Sequence, residues 1–431
     1  MNMRNKIVGI VFTAMVFIML ILVLISPPLY VKNHFISIAG EAFDTAKAYP
    51  FSDNSSGTDT GAKGEAKAYG QIARAYDLVI TAEDYVKRFT TDLFAFQPSY
   101  AVVKKFVDRT MGIDMTSSLS AGQNNTETDD DIVVPYSGDY LALVADDADV
   151  SEVMGSLITF GEQMKDDGRN FLFFMAPEKF AGNMLYKDYS VERREEVIAS
   201  LKAANIDTLD IEDEIVKRGI DKPSLFFRTD HHWLPSTGIW ATSILGQYMN
   251  ENYAYNIDTS LFDMENYETT VLEKHFLGSL GKKVTHIYTA ADDFPIIVPK
   301  YDTDLEVFFS STNENVRGNI QETLFDYSAV ESDDLYSRSN YEFYGYLDQA
   351  LVSVKNNNVH DGSRVLLVKT SFADTMYPYL AATVENLDVV DLRYFKGSLQ
   401  TFIEETDPDT VIMIYGLKSF NSYSTIAWDF R

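Results

Sequence analysis

The chain opens on an unbroken apolar run: from Ile7 to Ile25 every residue is apolar or small, with Gly9 and Thr13 the weakest members. As a helix rising 1.5 Å per residue it would be about 28 Å long, close to the hydrocarbon thickness of a bilayer. Arg4 and Lys6 precede it, so the positive-inside rule leaves the N-terminus in the cytoplasm and sends the remaining chain outward. Ser26, Pro27 and Pro28 end the run, and no A-x-A-like cleavage site follows directly. An uncleaved single-pass anchor is therefore expected over a cleaved signal peptide.

Beyond the anchor the pattern changes twice. Residues 40–70 are rich in Ala, Gly, Ser, Thr and Asp and bury too little to order themselves, which reads as a tether. Residues 116–131 end in Thr126-Glu127-Thr128-Asp129-Asp130-Asp131 and read as a solvated surface loop. After these, short continuous apolar runs at 171–175, 364–368, 388–392 and 411–415 predict strands covered on both faces. Helical patterns at 153–165, 191–203, 236–249, 376–385 and 399–405 fill the gaps. That alternation is the βαβ rhythm of an α/β fold with a mostly parallel sheet. The expected organisation is an anchor over 1–26, a membrane-proximal linker over 27–75 and one extracytoplasmic domain over 76–431. Residues 301–345 are acidic and rich in Tyr and Phe, without a clear period or an evident function.

Composition narrows the chemistry. The 64 acidic and 36 basic side chains give a formal charge of -28, which would repel a phosphate backbone and excludes a nucleic-acid partner. There is no cysteine, so thiolate metal sites, iron–sulfur clusters, cysteine nucleophiles and disulfides are all excluded. Only six histidines occur, and two of them sit in Phe227-Arg228-Thr229-Asp230-His231-His232-Trp233. If this stretch is extended, Asp230 and His232 emerge on one face, where the carboxylate accepts the Nδ1 proton and leaves Nε2 as a base. His231 would then point the other way. A solvated or structural pair and a metal site remain alternatives; Asp-His-His also opens a motif of manganese phosphoesterases, but their further aspartate motifs are missing, and no H-E-x-x-H occurs either. No metal and no cofactor is expected.

In an open α/β sheet the residues just after a strand face the ligand. Ser371 follows the apolar run from Arg364 and precedes a helical stretch, which is where an activated serine belongs. N–H groups at the following helix start could stabilise an oxyanion. The competing reading is a helix cap, because Ser371-Phe372-Ala373-Asp374 has capping-box spacing. No G-x-S-x-G elbow exists, which argues against an ordinary α/β-hydrolase. Gly397 and Gly416 each follow a later strand, with Asn421 shortly after, and singly each glycine is a turn residue.

The segment from Phe226 to Trp233 resembles the signature of the DHHW protein family, and more broadly the SGNH-like acetyltransferases that modify exopolysaccharides, alginate O-acetylation proteins among them. The order Asp230, His232, Ser371 is that group's order. Ala176-Pro177-Glu178-Lys179, Gly278-Ser279-Leu280-Gly281 and Asp391-Leu392-Arg393-Tyr394 are also similar. One departure stands out: the usual Gly-Asp-Ser reads Lys369-Thr370-Ser371. The resemblance implies a three-layer SGNH-hydrolase-like domain and acyl transfer through Ser371, with His232 as base and Asp230 orienting it. It implies an oxyanion hole that includes Gly397 and Asn421. Arg393, Arg228, Lys369 and His231 are the candidate substrate contacts. The implied partners are a polysaccharide acceptor and a membrane-bound O-acyltransferase as acyl donor. A carbohydrate esterase, or an inactive glycan-binding or assembly component on the cell surface, are the alternatives.

Overall fold

The computed structural model describes residues 133–430 apart from 138, 146, 183–186, 285–288, 337–338, 347 and 421–429. The anchor, the tether, the 116–131 loop and Asn421 therefore lie outside the described residues. Among the described residues no helix is long and apolar enough to cross a membrane.

The continuous apolar runs become the centre of an eight-stranded sheet. β1 (Val133–Pro135) and β2 (Leu141–Leu143) form a small ribbon, and β3 (Asn170–Ala176) and β4 (Asp207–Asp210) enter the main sheet. A longer ribbon joins β5 (Tyr267–Phe276) to β6 (Asp292–Pro299). β7 (Leu305–Phe309), β8 (Glu314–Gly318), β9 (Leu351–Asn356), β10 (Arg364–Lys369), β11 (Asn386–Val390) and β12 (Thr410–Gly416) complete the sheet. Its order is β4-β3-β12-β10-β11-β9-β7-β8. The first five strands run parallel. The last three are antiparallel, so the sheet is mixed rather than mostly parallel throughout. The sequence conceals this edge because β7 and β9 bury only alternate residues, a weaker signal than a continuous run.

Alternation along the central strands divides the core in two. Leu172, Phe174, Val365, Leu367, Ile412 and Ile414 face one layer. Phe171, Phe173, Leu366, Val368, Val411 and Met413 face the other. The second face is covered by α1 (Ser151–Asp166), α2 (Ser190–Ala203) and, later in the chain, Leu399 and Ile403. The first is covered by α3 (Ile211–Arg218) and α4 (Pro235–Asn252). α3 has its start fixed by the Asp210 side chain, which accepts from Glu212 N, and its end by Gly219 at φ 63°. The remaining helices are short: α5 (Ser279–Val284), α6 (Ile320–Thr323), α7 (Tyr377–Leu380) and α8 (Leu399–Thr406).

Two boundaries differ from the pattern. The helix expected over 376–385 stops at Leu380, where Ala382 N and Thr383 N bond back three residues instead of four, tightening the chain for β11. The strand expected over 388–392 ends at Val390, because the Asp391 carboxylate turns to the Arg393 N–H and side chain.

Candidate active site

The loop that carries the two adjacent histidines is not an extended strand. Phe226 and Trp233 pair as an antiparallel bridge, and Phe227 N donates to His232 O at 3.2 Å, so residues 228–231 form a tight turn between them. Phe227 anchors the turn, with its ring 4.7 Å from Phe276 and 5.9 Å from Phe294. Asp292 holds the turn's other side: its carboxylate accepts from Thr229 N at 2.8 Å and Thr229 Oγ1 at 2.6 Å, and from Arg228 Nε at 2.9 Å. Lys179, just after β3 and 1% exposed, donates its ammonium to the Phe227 carbonyl from beneath. Burial pulls that ammonium down to about 8, against the opposing pull of Asp230 and Asp292.

The turn changes where the imidazoles go. Asp230 Oδ1 accepts from His232 N at 2.9 Å and from His232 Nδ1 at 2.6 Å. Its Oδ2 accepts from Ser279 N at 2.5 Å. His231 does not point away as alternation would require: its Nδ1 lies 3.5 Å from Asp230 Oδ1 and 2.9 Å from Ser279 Oγ. Burial alone would push the Asp230 carboxyl up, but the two imidazoles and the His232 hydrogen bonds outweigh it and hold the group well below the usual carboxylate range. An ionised Asp230 makes His232 Nδ1 the donor and leaves Nε2 as an acceptor. Gly278 lets this carboxylate sit where it does, since a Cβ there would fall 2.2 Å from Asp230 Cβ.

Ser371 meets that acceptor. His232 Nε2 lies 2.6 Å from Ser371 Oγ, and the serine opens the 3-10 helix from Ser371 to Thr375 at the end of β10. The capping alternative is not realised: Thr370 is the N-cap of this helix and no side chain caps it. Asp374, the would-be capping partner, turns instead to Lys369 Nζ at 2.5 Å. Trp233 ties the two halves of the site together, its indole N–H shared between Phe372 O at 3.0 Å and Thr375 Oγ1 at 2.8 Å.

Lys369 is not a substrate contact facing solvent. It is 1% exposed, and its ammonium faces Asp374, Asp391 at 3.5 Å and Asp348 at 3.3 Å. Arg393 joins the same cluster, 2.6 Å from Asp391 Oδ2 and 2.9 Å from Asp348 Oδ1. Three carboxylates thus share two cations. Burial pushes Asp374 well above the usual carboxylate range despite Lys369. Asp348 is pushed up by burial too, but Lys369 and Arg393 outweigh this and hold it at about 2. Arg228 is likewise committed to carboxylates, Asp292 and Asp139. A cation so paired has less field left for an anionic ligand.

The structure therefore brings Asp230, His231, His232 and Ser371 into one cluster and places Lys369 and Arg393 in a second beneath it. Gly397 lies in the connection between β11 and α8, with its own Phe395 ring against it. Asp230, His231 and His232 also offer donor atoms within 4.8 Å of one another, as a metal site would. The carboxylate oxygens, both His232 nitrogens and His231 Nδ1 are however spent on Ser279, on Ser371 and on each other. The donor set fits a hydrogen-bonded relay better than converging lone pairs. Sequence reading missed Lys179, Asp292 and Tyr341, the last of which stacks on His232 with ring centres 4.1 Å apart. Only the Ala176-Pro177-Glu178-Lys179 resemblance hinted at one of them.

No curated protein matches the sequence. The structure is similar to that of Bacillus cereus PatB1, with a TM-score of 0.57 and 17% identity, covering 70% of this chain and 100% of that chain. A second structure of PatB1, with a sulfonyl adduct, matches at 0.55 and 15% identity over the same shares. A DHHW family protein from Eubacterium siraeum matches at 0.52 and 17% identity, covering 70% of this chain and 95% of that one. At these identities the likeness is one of fold. The family model described as DHHW protein matches residues 203–390, a stretch that holds both the Asp-His-His-Trp turn and Ser371. The resemblance to the DHHW protein family carried by residues 226–233 therefore holds for this chain.

Proposed function

We propose that the chain is an SGNH-like O-acyltransferase that acetylates a cell-surface polysaccharide through an acyl-serine. The reading rests on one observation above all: an Asp230–His232–Ser371 relay with 2.6 Å at each link. In the first step Ser371 Oγ bonds to the donor's acyl carbon, its proton passes to His232 Nε2 and then to the departing group, and the donor's acyl bond breaks. In the second a sugar hydroxyl gives its proton to His232 and attacks the same carbon, and the bond to Ser371 Oγ breaks as that oxygen takes the proton back from His232. Asp230 stays ionised and stabilises the imidazolium. Donors at the start of the helix after β10, with Gly397 and Asn421, are the expected oxyanion contacts.

The apolar run at residues 7–25 would hold this domain outside the membrane, where a membrane-bound O-acyltransferase would pass on the acyl group. If water takes the acyl group instead, the protein is an esterase of the same fold.

A sulfonyl fluoride or fluorophosphonate probe on the purified protein tests the reading. Ser371 is expected to be labelled, and Ser371→Ala and His232→Ala are expected to abolish labelling. Wild type labelled no faster than Ser371→Ala would exclude a working nucleophile. Product followed on a sugar acceptor separates the activities: release of free acetate alone would leave only the esterase.

A further inference from the structure

We propose that Tyr341 is a positioning residue for His232, holding the imidazole in line with Ser371; the proposal rests on the acyl-serine reading above. Both ring nitrogens of His232 are already used, Nδ1 by Asp230 and Nε2 by Ser371, so only the ring faces remain to fix its tilt. Tyr341 supplies that constraint. Its ring lies parallel to the imidazole, 12° between planes and 4.1 Å between centres, while His231 packs 3.8 Å away at 37°.

The Tyr341 ring is itself held on several sides. It is 3% exposed, its hydroxyl lies 3.2 Å from Thr375 Oγ1 in the serine's own helix, and its ring stands edge-on to Phe227 at 6.3 Å. The turn carrying the base, the helix carrying the nucleophile and the 3-10 helix Asn340–Phe343 thus meet at one phenol. Burial pushes that phenol well above its ordinary value, so the ring presents a neutral π face throughout the working pH range. A neutral π face attracts an imidazolium more than an imidazole, and the imidazolium is what forms when Ser371 gives up its proton. The charged groups that also bear on His232 are Asp230, His231 and, across the cluster, Asp348. Of the rings against His232, His231 and Phe372 are tilted to it, at 37° and 56°, and Tyr341 alone lies nearly parallel.

Tyr341→Phe and Tyr341→Leu separate the ring from its hydroxyl. With the sulfonyl fluoride probe, Tyr341→Phe should label within about threefold of wild type and Tyr341→Leu roughly 3- to 30-fold more slowly. On an activated acetyl ester the loss should fall on kcat with KM little changed, because a residue this buried does not touch substrate. Leu labelling as fast as wild type overturns the proposal. So does Phe slowed as much as Leu, which assigns the effect to the Thr375 contact. Failure of wild type itself to label strikes at the acyl-serine reading instead, and the two failures are thereby distinct.

Discussion

His232 Nε2 and Ser371 Oγ meet at 2.6 Å although 139 residues separate them in the chain. The meeting is enforced from below rather than by the pair itself: the Trp233 indole bonds into the serine's helix, and Phe372 packs edge-on against it at 5.3 Å. An imidazole and a hydroxyl held by their neighbours in sequence keep their spacing without depending on one hydrogen bond.

Asp230→Asn tests the orienting carboxylate. With an amide in its place the imidazole loses the acceptor that selects its tautomer, and acetyl-ester turnover should fall by about three to four orders of magnitude. The native value lies below that of the unfolded chain, so the stabilisation from Asp230 is complete above the ordinary carboxylate range and is lost as pH falls through the native value. Urea unfolding from pH 6 downward should show an acid-side loss that is smaller in the variant. Equal slopes would mean that Asp230 is not held ionised by the imidazoles.

Gly278→Ala tests the close approach. Its new Cβ would fall 2.2 Å from Asp230 Cβ and 2.4 Å from Oδ2, so the carboxylate must move. A stability loss of about 1–3 kcal/mol and a drop in labelling of Ser371 are expected. Gly155→Ala, exposed in α1 with nothing within 4 Å of the new Cβ, should instead stabilise by roughly 0.5–1 kcal/mol and leave labelling alone. Chemical denaturation of both checks the contrast.

Lys369→Met removes the cation that three carboxylates share. Asp374 is then left buried without a cation, while Asp348 and Asp391 keep only Arg393, and the loss should cost about 3–5 kcal/mol. Adding Asp374→Asn should recover part of the loss, since one unpaired acid is then gone. A double variant as unstable as the sum of the two single variants would show that the pair is not coupled.

Lys179 makes a prediction about alkaline pH. Its native value, about 8, lies below that of an unfolded lysine, so between about pH 8 and the ordinary lysine range the unfolded chain binds the extra proton. Wild type should therefore gain stability relative to Lys179→Met as pH rises through that window, and the gap should be constant below it. Denaturation at pH 7, 8.5 and 9.5 reads this directly; a constant gap across all three would show an ordinary, solvated lysine.

Much of the fold could be read because the central strands are apolar on both faces. The runs at 171–175, 364–368 and 411–415 return as β3, β10 and β12, and α1, α2, α4 and α8 follow their patterns within a few residues. The antiparallel edge could not be read. β7 and β9 bury alternate positions, and β8 is mostly exposed, so local hydrophobicity does not separate them from loop. In the site, Asp230, His232 and Ser371 carried their chemistry in residue type and position after a strand or before a helix. Lys179, Asp292 and Tyr341 did not, because a buried lysine, aspartate or tyrosine looks like any other until the chain that covers it is known.

The sequence alone determined that an imidazole and a hydroxyl were the reactive groups to consider: six histidines, no cysteine, and one dense block beside Asp230 left few others. It also determined the α/β class, through periodicity that is local by nature. Only the tertiary structure decided the direction of His231, the burial of Lys369, the pairing of Arg228 and Arg393, and the ring stacked on His232. Each of those depends on which charges and surfaces arrive from distant strands, and a local pattern holds no record of them.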